Sequence, residues 1–102
     1  METTITARRV NLTKHEERLV SMLQLLGDKT RYKIFKILLS KKEFCVSEVA
    51  DKVGISVPAA SQHFRLFELV GLVNKKRYSQ MICYTLKDGD VLVQELVKFT
   101  GR

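Results

Sequence analysis

The sequence predicts a mainly α-helical domain with a small β-hairpin, in the order α-α-α-α-β-β-α. That is the plan of a dimeric winged helix-turn-helix. Three observations predict it. Residues 45–70, CVSEVADKVGISVPAASQHFRLFELV, read as two helices joined by a tight turn at Gly54. Upstream, apolar residues recur at i, i+3, i+4 and i+7, the spacing of a helical stripe. After Gly71 the pattern changes to short β-branched and aromatic runs, the mark of a hairpin.

Residues 1–12 are polar and without period, so a flexible arm is expected there and a single winged-helix domain over 13–102. From Thr13 a first helix carries Leu19, Met22, Leu23 and Leu26 on one side, and Gly27 closes it. Asp28 suits the cap of a second helix with Ile34, Phe35 and Leu38 inward and Lys33 and Lys36 outward. Lys41, Lys42 and Glu43 connect to the third helix. Cys45 stands at the start of that helix, with Glu48 three residues on, as in a capping box. Ser56 can accept hydrogen bonds from the amides that open the fourth helix, and Pro58 suits its first turn. LVNKKRY and MICYTL, separated by Ser79 and Gln80, form the hairpin, and Asp88–Gly89–Asp90 begins a last helix, VLVQELVKF.

The fourth helix faces two ways. At about 100° per residue, Ala60, Phe64 and Phe67 fall on one side, and Pro58, Ser61, Gln62 and Arg65 on the other. The second set is small, hydrogen-bonding and basic, which suits a helix lying in a DNA major groove. Ser56 and Val57 come where base edges are nearest: Val57 suits a thymine methyl, Ser61 and Gln62 can hydrogen-bond to bases, and Arg65 is placed for phosphate. A hairpin directly after such a pair of helices makes a wing. Lys75, Lys76, Arg77 and Gln80 near its tip are candidates for phosphates or the minor groove. The alternative is that these charges only keep an edge strand from aggregating.

Composition agrees with a DNA partner. Eighteen basic against eleven acidic residues give a net charge of +7, and the pI near 9.7 leans towards nucleic acid. Two cysteines are too few for a disulfide scaffold or a stand-alone zinc site. No apolar run approaches the roughly 20 residues that span a membrane, and the N-terminus has no apolar stretch of a secretory signal, so a cytoplasmic location is expected. There is no phosphate-binding glycine loop and no nucleophile with an identifiable base. We therefore expect no enzyme, no catalytic residue and no cofactor.

The helices at the two ends carry more apolar surface than one inward stripe requires. Leu19, Met22 and Leu23 in the first, with Val91, Leu92 and Leu96 in the last, are the expected contacts of a homodimer; the alternative is that these helices only cover the monomer core. A different class of function, a winged-helix module that docks another protein in a transcription or chromatin assembly, would leave the basic face incidental.

From Leu25 to Leu86 the chain resembles the ArsR family of winged-helix repressors. GDKTRYKIFKILL resembles that family's DPTRLRIL opening, EFCVSEVADKVGIS its ELCVCDLAEALGLS segment, and VPAASQHFRLFELVGLV its QPAVSQHLRLLREAGLV. KKRYSQMICYTL has the length of its wing, RREGRWVYYSL. The resemblance implies a homodimer paired through the first and last helices, bound to an imperfect inverted repeat and blocking transcription until an effector arrives.

The departures concern the effector. The family's metal-sensing version has two cysteines in the third-helix segment, whereas here Ser47 follows Cys45 at the second position, and serine is a poor ligand for soft metals. The other common metal site draws on the last helix. Here Asp88 and Asp90 stand at its start, and its later positions fall at Gly101 or beyond the last residue. No metal is expected, and neither His15 nor His63 has another His or a Cys near it in sequence. Ser79 also replaces the glycine usual at the wing tip, which implies another turn type. In winged helices the segment before the third helix often pairs with the second wing strand, which would bring Cys45 and Cys83 together. They are then either a redox pair, Cys45 favoured as thiolate by the helix dipole, or two small buried apolar residues. The effector stays open between a constitutive binder or an unidentified signal, and a thiol switch.

Overall fold

The computed structural model describes residues 9–40 and 42–101. Its elements are α1 (Lys14–Leu26), α2 (Lys29–Leu38), β1 (Phe44–Cys45), α3 (Val46–Val53), α4 (Val57–Leu69), β2 (Val73–Tyr78), β3 (Met81–Leu86) and α5 (Val91–Thr100). Most of the arm expected over 1–12 lies outside the described residues, and 9–12 enter no helix or strand.

The helices begin where polar side chains can satisfy orphan amides. Thr13 Oγ1 accepts the Glu16 N–H at 3.0 Å while Glu16 Oε1 accepts the Thr13 N–H at 2.9 Å, a complete capping box. Asp28 accepts the Arg31 N–H at 2.9 Å. That hydrogen bond is the main reason its carboxyl sits below the ordinary value. Asp90 Oδ1 accepts from the Leu92 and Val93 amides at the start of α5.

The antiparallel sheet has the order β1-β3-β2. The hairpin pairs Val73 with Leu86 through to Tyr78 with Met81. The third strand is only Phe44–Cys45, paired with Tyr84 and Cys83. Ser79, at the first turn position, has φ 56° and is the one described non-glycine residue with positive φ. Gln80 does not share that positive φ, so the turn is not type I′, which needs positive φ at both central residues.

One core runs through the protomer. Met22, Ile34, Phe35, Leu38, Phe64, Phe67 and Leu72 are fully buried in it, each contributing about 1.5–3 kcal/mol over the exposed state. The core also takes residues the sequence assigned to a dimer surface. Met22, Leu92 and Leu96 are buried within the protomer and Leu19 packs against the same cluster, whereas Leu23 and Val91 are exposed. The stripes were read correctly as apolar, but their inner edge serves this chain's own core. Beside Leu23 and Val91, Val20 and Phe99 are also exposed, Phe99 at 82%.

Arg18 ties the two ends of the chain to its middle. Its Nε donates to the Val70 carbonyl at 2.9 Å and Nη2 to the Gly71 carbonyl at 3.1 Å. Its Nη1 pairs with the Asp90 carboxylate at 2.8 Å. Gly71 suits this turn because its φ is 74°, and a Cβ there would stand 2.9 Å from Arg18 Nη2 and displace the end of that side chain. Burial pushes the Asp90 carboxyl up, but the Arg18 bond and the Val93 and Leu92 amides outweigh it and hold the group below 3.8.

Replacing Arg18 with Ala is expected to lower unfolding free energy by about 2 kcal/mol in urea, because two backbone carbonyls and a carboxylate lose a charged donor. Since the folded Asp90 carboxyl lies below its ordinary 3.8, its contribution is present above that value and is lost as pH falls through the folded one. Urea midpoints compared at roughly pH 6 and pH 3 should therefore drop less in Asp90→Asn than in the parent.

Candidate nucleic-acid interface

The start of α4 is built from the turn before it. Gly54 ends α3 in the left-handed region at φ 81°, and the Gly54 and Ile55 amides both donate to the Ala50 carbonyl. The chain then runs extended through Ser56, whose Oγ accepts the Ala59 N–H at 3.2 Å, with Pro58 in the first turn.

From there the two-sided pattern is realised. Ala60, Phe64 and Phe67 are fully buried. Ser56, Val57, Pro58, Gln62 and Arg65 are exposed, and Ser61 is half-buried. The Phe64 ring lies flat on Tyr84 of β3, centroids 4.2 Å apart and planes 2° from parallel. Phe67 meets Phe64 edge-on. Burial raises the Tyr84 phenol, with Glu68 adding to the effect; the nearby Arg65 and Arg77 guanidiniums oppose it. These side chains form the joint between α4 and the wing.

On the wing, Val73 is buried and every residue from Asn74 to Tyr78 is exposed, as an edge strand allows. The register divides the basic run. Lys75 pairs with Tyr84, so Lys75 and Arg77 share the sheet face that meets α4, while Lys76 pairs with Cys83 on the other face. There the Lys76 ammonium lies 5.8 Å from the centre of the Tyr78 ring. The Tyr78 hydroxyl donates to Glu43 Oε1 at 2.9 Å, which raises its phenol and ties the wing tip to the segment before β1.

Helix and wing meet at a cleft of about 200 Å³, with Val57 and Ser61 on one wall and Gln80, Met81 and Ile82 on the other. Cys45, Val46 and Ser47 complete its lining. The structure thus brings Val57, Ser61 and Gln80 to one concavity. Ser56, Pro58, Gln62 and Arg65 lie along the outer side of α4, and Lys75, Lys76 and Arg77 lie on the wing beyond. Sequence reasoning missed Met81, 54% exposed beside the turn, and the Glu43 tether. Period-two alternation from buried Cys83 would have placed Met81 on a different face from Ile82, but it says nothing about exposure at a wing tip.

Cys45 and Cys83, directly opposed in the β1–β3 ladder, are joined as a disulfide with Cα atoms 3.7 Å apart. His63 sits half-buried on α4, its Nδ1 without a hydrogen-bond partner among the described residues. Among those residues no three His, Cys, Asp or Glu side chains gather as a metal-ion site, and no described helix is long and apolar enough to cross a membrane.

A two-helix unit with a polar outer face, docked on an antiparallel hairpin, defines a winged helix-turn-helix protein. A helix-turn-helix domain family matches residues 26–76. A cadmium resistance transcriptional regulatory protein CadC homolog from Staphylococcus aureus is 33% identical over 70 residues, covering 69% of this chain and 58% of the relative. The chain therefore spans under two thirds of that regulator's length. The transcriptional activator HlyU of Vibrio cholerae is 30% identical over 80 residues, covering 78% of this chain and 73% of the relative. A solved structure of HlyU superposes with a TM-score of 0.75 at 27% identity, over 86% of this chain and 92% of that one. The transcriptional repressor BigR of Xylella fastidiosa superposes at 0.70 and 26% identity, over 84% and 85%. The chain belongs to the ArsR family of winged helix-turn-helix transcriptional regulators. Family and fold are those of DNA-binding regulators, not of enzymes.

Replacing Phe64 with Ala is expected to cost about 3–5 kcal/mol of stability, through lost burial and the cavity left against Tyr84. Tyr84→Phe keeps the ring stack and loses only a 3.4 Å hydrogen bond to Glu68, so its unfolding midpoint should stay close to that of the parent.

Proposed function

We propose that the chain is a homodimeric transcriptional repressor that binds an imperfect inverted repeat in double-stranded DNA. The observation that carries this is the outer side of α4: Ser56, Val57, Pro58, Gln62 and Arg65 exposed without an acidic residue among them, directly behind a fully buried Ala60–Phe64–Phe67 stripe. In this reading Ser61 and Gln62 read base edges and Val57 meets a thymine methyl. Arg65, Lys75, Lys76 and Arg77 hold phosphates. A regulator of this kind works beside its genome, in the cytoplasm of a cell without a nucleus.

Selection of a preferred site from a random duplex pool at physiological salt tests the reading, and recovery of unbiased sequence would refute it in favour of a protein-docking module. On the selected site, Gln62→Ala is expected to cost about 1–3 kcal/mol at one base position and relax preference there. Lys76→Ala is expected to weaken all duplexes alike and to reduce the salt slope by about one unit.

The dimer reading rests on the exposed apolar residues Val20 and Leu23 of α1 and Val91 and Phe99 of α5, which a two-fold partner would cover. Such pairing sets two α4 helices about one DNA turn apart, roughly 34 Å. Leu23→Glu combined with Phe99→Glu should give a monomer mass by analytical ultracentrifugation. Its affinity for the full repeat should fall about 100-fold, while a half-site is bound as before.

A further inference from the structure

The Cys45–Cys83 bond closes a loop over 38 positions of sequence. Inside that loop lie α3, the turn, all of α4, β2 and the wing tip. Every residue assigned above to DNA, from Ser56 to Gln80, is therefore enclosed by one covalent link. The link is also placed at the joint of the reading surface. Cys45 caps α3, its amide donating to Glu48 Oε1 at 2.9 Å, and it lines the cleft between Val57 and Ser61 of α4 and Gln80 and Met81 of the wing. Without the link, β1 holds β3 by a two-residue ladder alone.

We propose that this pair is a reversible thiol–disulfide site whose oxidised state fixes the spacing of recognition helix and wing and so strengthens DNA binding; the proposal rests on the DNA-binding reading above. Burial assigns the direction of attack. Cys83 is fully buried and Cys45 only partly, so an external thiolate reaches the Cys45 sulfur. The sulfur–sulfur bond breaks, Cys83 leaves as thiolate and takes a proton, and Cys45 is held in a mixed disulfide. A second external thiol attacks that mixed disulfide, releasing the Cys45 thiol and a small-molecule disulfide. In the reverse sense the two thiols give two electrons and two protons to hydrogen peroxide, which leaves as two waters as the bond forms. The oxidised protein arrives at DNA with helix and wing already placed, so less conformational freedom is lost on binding.

The test uses the whole chain treated with hydrogen peroxide or with excess dithiothreitol, thiol titration confirming no free thiol in the first state and two in the second. Affinity for the selected duplex is measured in both states, beside hydrogen exchange of residues 73–86. Reduction is expected to weaken binding roughly tenfold and to speed exchange in the wing. Cys83→Ala and Cys45→Ser, the latter keeping a good helix cap, should both bind like the reduced parent and ignore oxidant. Equal affinity of both states for a duplex that each binds would overturn the switch alone, as would free thiols persisting after peroxide. If neither state selects any duplex, the DNA-binding reading falls, and the switch with it.

Discussion

The Phe64 ring lying flat on Tyr84 solves the problem that any reading helix poses. α4 has to be anchored firmly along one side while the other stays free for a partner, and a 13-residue helix has little length in which to do both. Ala60 lets the helix approach, and Phe64 and Phe67 supply most of its apolar area. Because Tyr84 is in the middle strand of the sheet, the same stack that fixes the helix fixes the wing. The stack therefore joins helix to wing through the core, and the Cys45–Cys83 bond ties the same strand to the start of α3.

Arg18 does for the chain ends what that stack does for the middle. Its guanidinium spans the end of α4, the glycine turn into β2 and the cap of α5. Carbonyls that no helix or ladder satisfies are thereby paired, and α1 and α5 come together. Those two helices then present Leu23 and Val91 outward, while Met22, Leu92 and Leu96 turn into the protomer. Leu23 and Val91 are left uncovered by the way the chain closes its own core.

The wing carries its charge without crowding. On β2 the pleat sends Lys75 and Arg77 to one side and Lys76 to the other, so the three cations of the wing do not stack on one face. Glu43 holds the wing through the Tyr78 hydroxyl, not through any lysine of the wing. The basic run thus keeps its charges available, and the tether still limits how far the tip can swing.

Much of this was legible in the chain. Helix starts at Thr13, Asp28, Ser56 and Asp90, the break at Gly54, the inner stripe of α4 and the hairpin after Gly71 are local signals, written in residues a few positions apart. The family likeness placed Cys45 near Cys83. What sequence could not show were relations between distant residues. Periodicity marks Met22, Leu92 and Leu96 as apolar, but whether an apolar face meets its own core or a partner depends on how five helices pack. Nothing near Arg18 in sequence announces Val70, Gly71 and Asp90 as its partners, 52 to 72 positions away. Local spacing by itself determined the five helices, the hairpin and the polar side of α4, because helix and strand periods depend on neighbours, whereas β1 exists only through its pairing with β3. Only the tertiary structure decided the bonded cysteine pair, the cleft it borders and which apolar residues remain uncovered, because those depend on which distant surfaces exclude water together.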